Sequence, residues 1–426
     1  MLINKLKQQL SGQFIRNVGW LGGAELINRV FRLGTTVFLA RLLSSYDYGL
    51  VAIVLTTNEF TTAFTLKSGI GSKIIQANEQ DVKVVCDTSY WLNWILCGTL
   101  FVIQCLAAFP IAWFYKEQSA ILPICVLALV YLMLPLYMVQ SAMIQRENRL
   151  NVIALANAIQ AVIGNILTIT LAFLGWGMWA VVLPIVLTTP VWIVISYMNH
   201  PWRPPKSFKL ERWQEIVSFG KDILGVELLS KLRANLDYLI VGRFLGVNAL
   251  GIYYFAFNAG LGISLSVINA FTSALFPHLC AVRGNFKALK QRYFSSLKTT
   301  AIIVIPLILL QSTLAPFYVP IVFGEKWISA VPILVLICLS ALPQPISSST
   351  YHLLTAVDKT RMNLYWNVIH TFFFAIAVLI AVRWGTWGVA VSVFIINVLG
   401  NSIYSLWGMR CVFGRNLGFL NAAKKL

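Results

Sequence analysis

Apolar stretches of about twenty residues recur along nearly the whole 426-residue chain, parted by short polar breaks. Twenty helical residues is the length that crosses a hydrocarbon core of about 30 Å. Hydrophobic residues make up 58% of the chain and charged residues 11%, with a mean hydropathy of +0.76, whereas soluble domains carry about 25% charged residues. The surplus of apolar surface must face lipid. Strands crossing a bilayer need only about 10 residues and alternate with polar positions, so these lengths predict helices. Twelve spans are expected, over 16–40, 46–66, 88–112, 119–141, 152–174, 177–198, 216–240, 250–275, 299–322, 330–354, 363–383 and 386–408. The fold class is therefore all-α, a polytopic membrane protein of about twelve transmembrane helices. The first apolar run lacks a small-residue cleavage site followed by a soluble domain, and reads as a span rather than a removable signal.

Lysine and arginine set the expected orientation. Numbering the N-terminus as inside, 24 of the 33 basic residues fall in inside segments, and five, Arg41, Lys116, Arg243, Lys326 and Arg383, fall in outside loops. This asymmetry places both termini in the cytoplasm. Basic loops beside anionic lipid headgroups account for most of the net charge of +18 without nucleic acid. None of the seven cysteines forms a CxxC or a metal-ligand spacing with histidine, so no disulfide framework, metal or cofactor is expected.

The segment 201–215, with Pro201, Trp202, Arg203, Pro204, Pro205 and Lys206, follows the sixth span and reads as a stiff cytoplasmic linker. It separates an N-terminal six-helix bundle, 1–200, from a C-terminal one, 216–426. Internal similarity supports the division. A shift of 202 residues sets Gly23 on Gly225, Glu25 on Glu227, Leu26 on Leu228, Arg41 on Arg243, Leu43 on Leu245 and Gly49 on Gly251. Farther along, Trp176-Gly177-Met178-Trp179 matches Trp384-Gly385-Thr386-Trp387 at a shift of 208. With Arg149-Leu150-Asn151 resembling Arg361-Met362-Asn363 at a shift of 212, three ordered matches at nearly one offset indicate a repeat. With six spans each, the repeats share one orientation, as in transporters that rock two bundles around a central site.

The first span of each repeat carries most of the charge within the membrane. Glu25, Arg29 and Arg32 lie within an arc of about 60° on span one. Span seven has Glu227, Lys231, Arg233 and Asp237, in two i, i+4 pairs about 120° apart. An ionised group at the bilayer centre costs at least about 2.5 kcal/mol unless it is paired or faces water. Glu25 with Arg29, and Arg233 with Asp237, would neutralise each other as structural pairs. A wet, weakly basic cavity explains the whole set, with Glu59 on span two as a further acid and Asn58, Asn93, Asn157, Asn165, Asn258, Asn269, Asn367 and Asn397 as polar lining or interhelical bonds.

Four segments carry a family resemblance: Asn17-Val18-Gly19-Trp20, Leu39-Ala40-Arg41-Leu42-Leu43, Tyr46-Asp47-Tyr48-Gly49, and Arg243-Phe244-Leu245-Gly246 continuing to Leu250-Gly251-Ile252-Tyr253. On these the chain resembles the polysaccharide-exporter, Wzx-type branch of the multidrug/oligosaccharidyl-lipid/polysaccharide superfamily, whose members share a MATE-like transporter fold. The resemblance implies a flippase, not an enzyme, which carries undecaprenyl-diphosphate-linked oligosaccharide repeat units for O-antigen, colanic acid or a related polysaccharide across the membrane by alternating access. It implies Arg29, Arg32, Lys231 and Arg233 as partners of the diphosphate and sugar. Glu25, Glu227 and Asp237 become candidates for coupling H+ or Na+, with membrane lipids and a polysaccharide polymerase as partners. Many members have fourteen spans, and roles of their last two helices do not carry over to a chain that ends soon after the twelfth. A peptidoglycan-precursor flippase and a drug or cation antiporter of the same superfamily are the alternatives. A membrane glycan polymerase or ligase would need a catalytic outer loop, and the outer loops here are only a few residues long.

Overall fold

The computed structural model describes residues 31–65, 67–282 and 284–414, and among them there are helices and turns but no strand. The chain is an all-α polytopic membrane protein. Its helices are α1 (31–42), α2 (Ser45–Ala63), α3 (Lys67–Gln76), α4 (Val82–Tyr115), α5 (Ile121–Met133), α6 (Pro135–Arg146), α7 (Leu150–Phe173) and α8 (Trp179–Asn199). They continue with α9 (Trp213–Leu245), α10 (Val247–Cys280), α11 (Phe286–Tyr318), α12 (Val331–Ser340), α13 (Gln344–Ala356), α14 (Thr360–Ala381) and α15 (Gly385–Phe413).

Each expected span falls mainly on helix where it lies within the described residues, with a break at Leu134 inside 119–141 and a turn at 341–343 inside 330–354. Among the described residues six helical segments are long and apolar enough to cross a membrane, and the pair α5 and α6, bent by 52°, makes a seventh if taken as one span. Pro135 opens α6 at that bend, where its ring cannot continue the hydrogen-bond ladder of the helix before it. The longest segment, Thr360–Phe413, is two spans folded back on each other. The Tyr404 hydroxyl on α15 donates to Asn363 Oδ1 on α14 at 2.6 Å, and Trp366 stacks on Tyr404 with ring centroids 5.5 Å apart. In one straight helix these residues would stand about 60 Å apart. Large apolar side chains such as Leu106, Phe109, Trp113, Phe372 and Trp384 are exposed, as expected of a lipid-facing surface.

The chain forms two compact units, Met1–Asn235 and Leu236–Leu426. In the first, α4 packs on α5, α7 on α8, and α3 on α6; Ile70, Cys86, Tyr90, Cys97, Tyr131, Tyr137 and Val139 form its core. In the second, α12, α13 and α14 pack on α15, while α10 packs on α13. The division between these units lies within α9, and the segment 201–215 belongs to the first. That segment is docked onto the first unit: the Trp91 indole N–H donates to the Ser207 carbonyl at 3.0 Å, Thr88 Oγ1 to the Glu211 carbonyl at 2.8 Å, and Arg212 pairs with Asp81 at 3.0 Å. Trp202 and Leu210 pack against the same core.

Candidate functional site

Helix α2 carries a run of polar residues in the first unit. This helix starts at a capping box, in which Ser44 Oγ accepts from the Asp47 N–H and Asp47 Oδ2 accepts from the Ser44 N–H. Its first half is buried and apolar, from Leu50 to Val54. The second half turns polar: Thr56, Thr57, Asn58, Glu59, Thr61 and Thr62. Thr57, Thr61 and Thr62 spend their hydroxyls on carbonyls four residues back in the same helix, the usual way a threonine is satisfied in a membrane helix. Asn58 Oδ1 accepts from the buried Tyr131 hydroxyl of α5 at 2.8 Å.

Glu59 receives two donors from α9. Lys231 Nζ stands 3.3 Å from Glu59 Oε2, and Asn235 Nδ2 donates to the same oxygen at 3.2 Å. Asn235 is buried; its Nδ2 also donates to the Lys231 carbonyl, and its Oδ1 accepts from Thr56 Oγ1 at 3.4 Å. The Lys231 side chain remains 34% exposed and that of Glu59 46%, so a ligand can reach this pair. A single-oxygen ion pair this open contributes about 1 kcal/mol or less. It neutralises the lysine without locking it.

The other expected residues are placed as follows. Glu25 and Arg29 lie outside the described residues. Arg32 on α1 and Arg233 on α9 are exposed, and Glu227 on α9 is half-buried. The pairing of span seven differs from the expected i, i+4 pattern: Lys231 meets Glu59 rather than Glu227, and Asp237 meets Tyr253 rather than Arg233. Asp237 Oδ2 accepts the Tyr253 hydroxyl at 2.7 Å and Oδ1 accepts the Tyr238 N–H. Asp237 is 3% exposed and Tyr253 is fully buried, so this carboxyl is sealed within the second unit. Glu59, only an accessory acid in the sequence, is the main counter-charge of Lys231. Its signal was available as the one acidic residue within a run of threonines and asparagine in an apolar helix.

A further, partly buried carboxylate joins two sequence motifs. Asp47, of Tyr46-Asp47-Tyr48-Gly49, accepts the Met178 N–H on Oδ1 at 3.2 Å. A Cβ on Gly177, which has φ +52°, would lie 2.5 Å from that oxygen. The Trp176-Gly177-Met178-Trp179 turn is thus clasped to the start of α2.

Comparison with known proteins now bears on this arrangement. Residues 38–332 match the family model described as polysaccharide biosynthesis protein. The chain belongs to that family. Among its relatives in this family, it is 26% identical over 403 residues to the lipopolysaccharide biosynthesis protein WzxC of Escherichia coli, covering 93% of this chain and 80% of that one. It is 24% identical over 354 residues to the teichuronic acid biosynthesis protein TuaB of Bacillus subtilis, covering 83% and 73%. Among solved structures, the fold resembles the lipid II flippase MurJ in an inward closed conformation, with a TM-score of 0.74 at 14% identity over 92% of this chain and 87% of that one. It also resembles an inward-facing multidrug resistance MATE family transporter of the MOP superfamily, with a TM-score of 0.67 at 17% identity over 93% and 96%. The family member described here therefore has the transporter fold of that superfamily.

Proposed function

We propose that the chain is a flippase that moves undecaprenyl-diphosphate-linked oligosaccharide repeat units across the bacterial cytoplasmic membrane by alternating access, with both termini in the cytoplasm. The observation that carries this reading is Lys231, a reachable cation on α9, held by one carboxylate oxygen. A diphosphate offers several anionic oxygens to such a group, and charge-assisted bonds of that kind strengthen where water is scarce. Arg29, Arg32 and Arg233 are the proposed additional partners. The polar run of α2, with the Asn58–Tyr131 pair beside it, suits a hydroxyl-rich glycan.

Family membership and the names of the relatives support the polysaccharide side of this reading; the transporter fold supports translocation rather than catalysis. Glu25, Glu227 and Asp237 are proposed to couple H+ or Na+, and a polysaccharide polymerase is the proposed recipient of the delivered unit. The likeness to a lipid II flippase keeps a peptidoglycan precursor as the second substrate reading, since it shares the isoprenyl diphosphate. The test is a deletion strain in which lipid-linked units are sorted by leaflet. Oligosaccharide units that accumulate on the cytoplasmic side support the proposal. Units that cross normally but stay unpolymerised would refute it.

A further inference from the structure

The reach of Glu59 toward Lys231 has a consequence for what the site admits. In a low-dielectric surrounding a lone ammonium is costly, and the Glu59 carboxylate covers that of Lys231. The coverage is partial. One carboxylate oxygen is divided between Lys231 and Asn235, and both ends of the ion pair are open enough for another anion to approach. Asn235 is anchored independently, by Thr56 and by the Lys231 carbonyl, so Lys231 can leave Glu59 without dismantling the contact between α2 and α9. The threonines around Glu59 donate their hydroxyls to carbonyls of their own helix.

We propose that Glu59 is a resident counter-charge that occupies Lys231 until the phosphate oxygens of the substrate displace it, and that this competition sets the anionic strength a lipid headgroup needs to be accepted. The inference rests on the reading above, in which Lys231 meets the diphosphate. A headgroup with two phosphates outcompetes one carboxylate oxygen; a weaker anion does not. Glu59 is thereby a specificity-determining residue that acts through Lys231, and the sealed Asp237–Tyr253 pair takes no part in the exchange.

The full-length protein in lipid nanodiscs is titrated with farnesyl diphosphate and with farnesyl monophosphate. Glu59→Gln should tighten diphosphate binding about tenfold, the scale of one charge-assisted hydrogen bond, and tighten monophosphate binding more, narrowing the gap between them. Glu59→Asp should keep wild-type discrimination, which separates a charge role from a packing role. Lys231→Ala should weaken diphosphate binding about tenfold, and in that background Glu59→Gln should have no further effect. If wild-type and Lys231→Ala proteins differ as expected but Glu59→Gln binds diphosphate no more tightly than wild type, the counter-charge is refuted while the role of Lys231 stands. If Lys231→Ala binds as well as wild type, or wild type binds neither probe, the diphosphate reading of the site fails and takes this inference with it.

Discussion

Asp47 shows how much one carboxylate can do in an apolar protein. It closes the capping box of α2 and at the same time receives the N–H of Met178, 131 residues away. Asp47→Ala should cost about 2 kcal/mol, one cap plus one part-buried hydrogen bond. Gly177→Ala combines an unfavourable positive φ with a collision against Asp47 and should cost about 1–3 kcal/mol; both are read as a fall in thermal midpoint of the purified protein. The reverse pattern belongs to Lys231→Ala. Its ion pair is half-exposed, so transport should drop at least tenfold while protein abundance stays near wild type; equal losses of both would make the residue structural. At this scale the sequence is informative about which residues carry charge and poor at saying what they meet. Spacing of four along a helix makes Glu227 and Arg233 the natural partners of Lys231 and Asp237, but the pair energies within one helix are only a few tenths of a kcal/mol. Packing brings Glu59 and Tyr253 from other helices and overrides that preference.

At the level of elements, periodicity and length located nearly every helix, because lipid imposes one dominant rule on where polar backbone can lie. What they missed is the behaviour of the 201–215 segment. Its prolines suggest a spacer, yet its aromatic residues seek burial: Trp202 lies against Tyr90, and Phe208 against Trp91. Two titrating groups hold the ends of this strap. His200 is buried, its Nδ1 accepts the Trp202 N–H, and its Nε2 faces Glu147 at 3.2 Å; Arg149 and Arg203 stand nearby. Burial pulls the His200 pKa down, against the upward pull of Glu147. The hydrogen bond from Arg212 pulls the Glu215 pKa down. Both folded values lie below the unfolded ones, so each contribution is complete above the unfolded pKa and is lost as pH falls through the folded one. Acidification from about pH 8 should therefore loosen the strap first at His200, whose unfolded pKa is about 6.5, and at Glu215 only near about pH 4. Proteolysis within 201–212 of the reconstituted protein should accelerate as pH drops through that first range. A rate that is flat or slower in acid would contradict the assignment.

For the molecule as a whole, the uneven distribution of lysine and arginine leads to a topological expectation. With both termini inside, a cysteine replacing Lys209 should react with a membrane-impermeant thiol reagent only in inverted vesicles, and one replacing Lys326 only in intact cells, tested in a variant whose native cysteines are replaced. Labelling from the opposite side would invert the proposed orientation. The docking of residues 201–215 onto the first unit, and the passage of α9 from one unit to the other at Asn235, also decide where such a protein can be recombined. A chimera spliced at residue 200 would import a foreign strap and a foreign mate for Glu59. Splicing after Asn235 keeps both native, so hybrid exporters with exchanged specificity are best joined in mid-helix, thirty-five residues past the point that the prolines advertise.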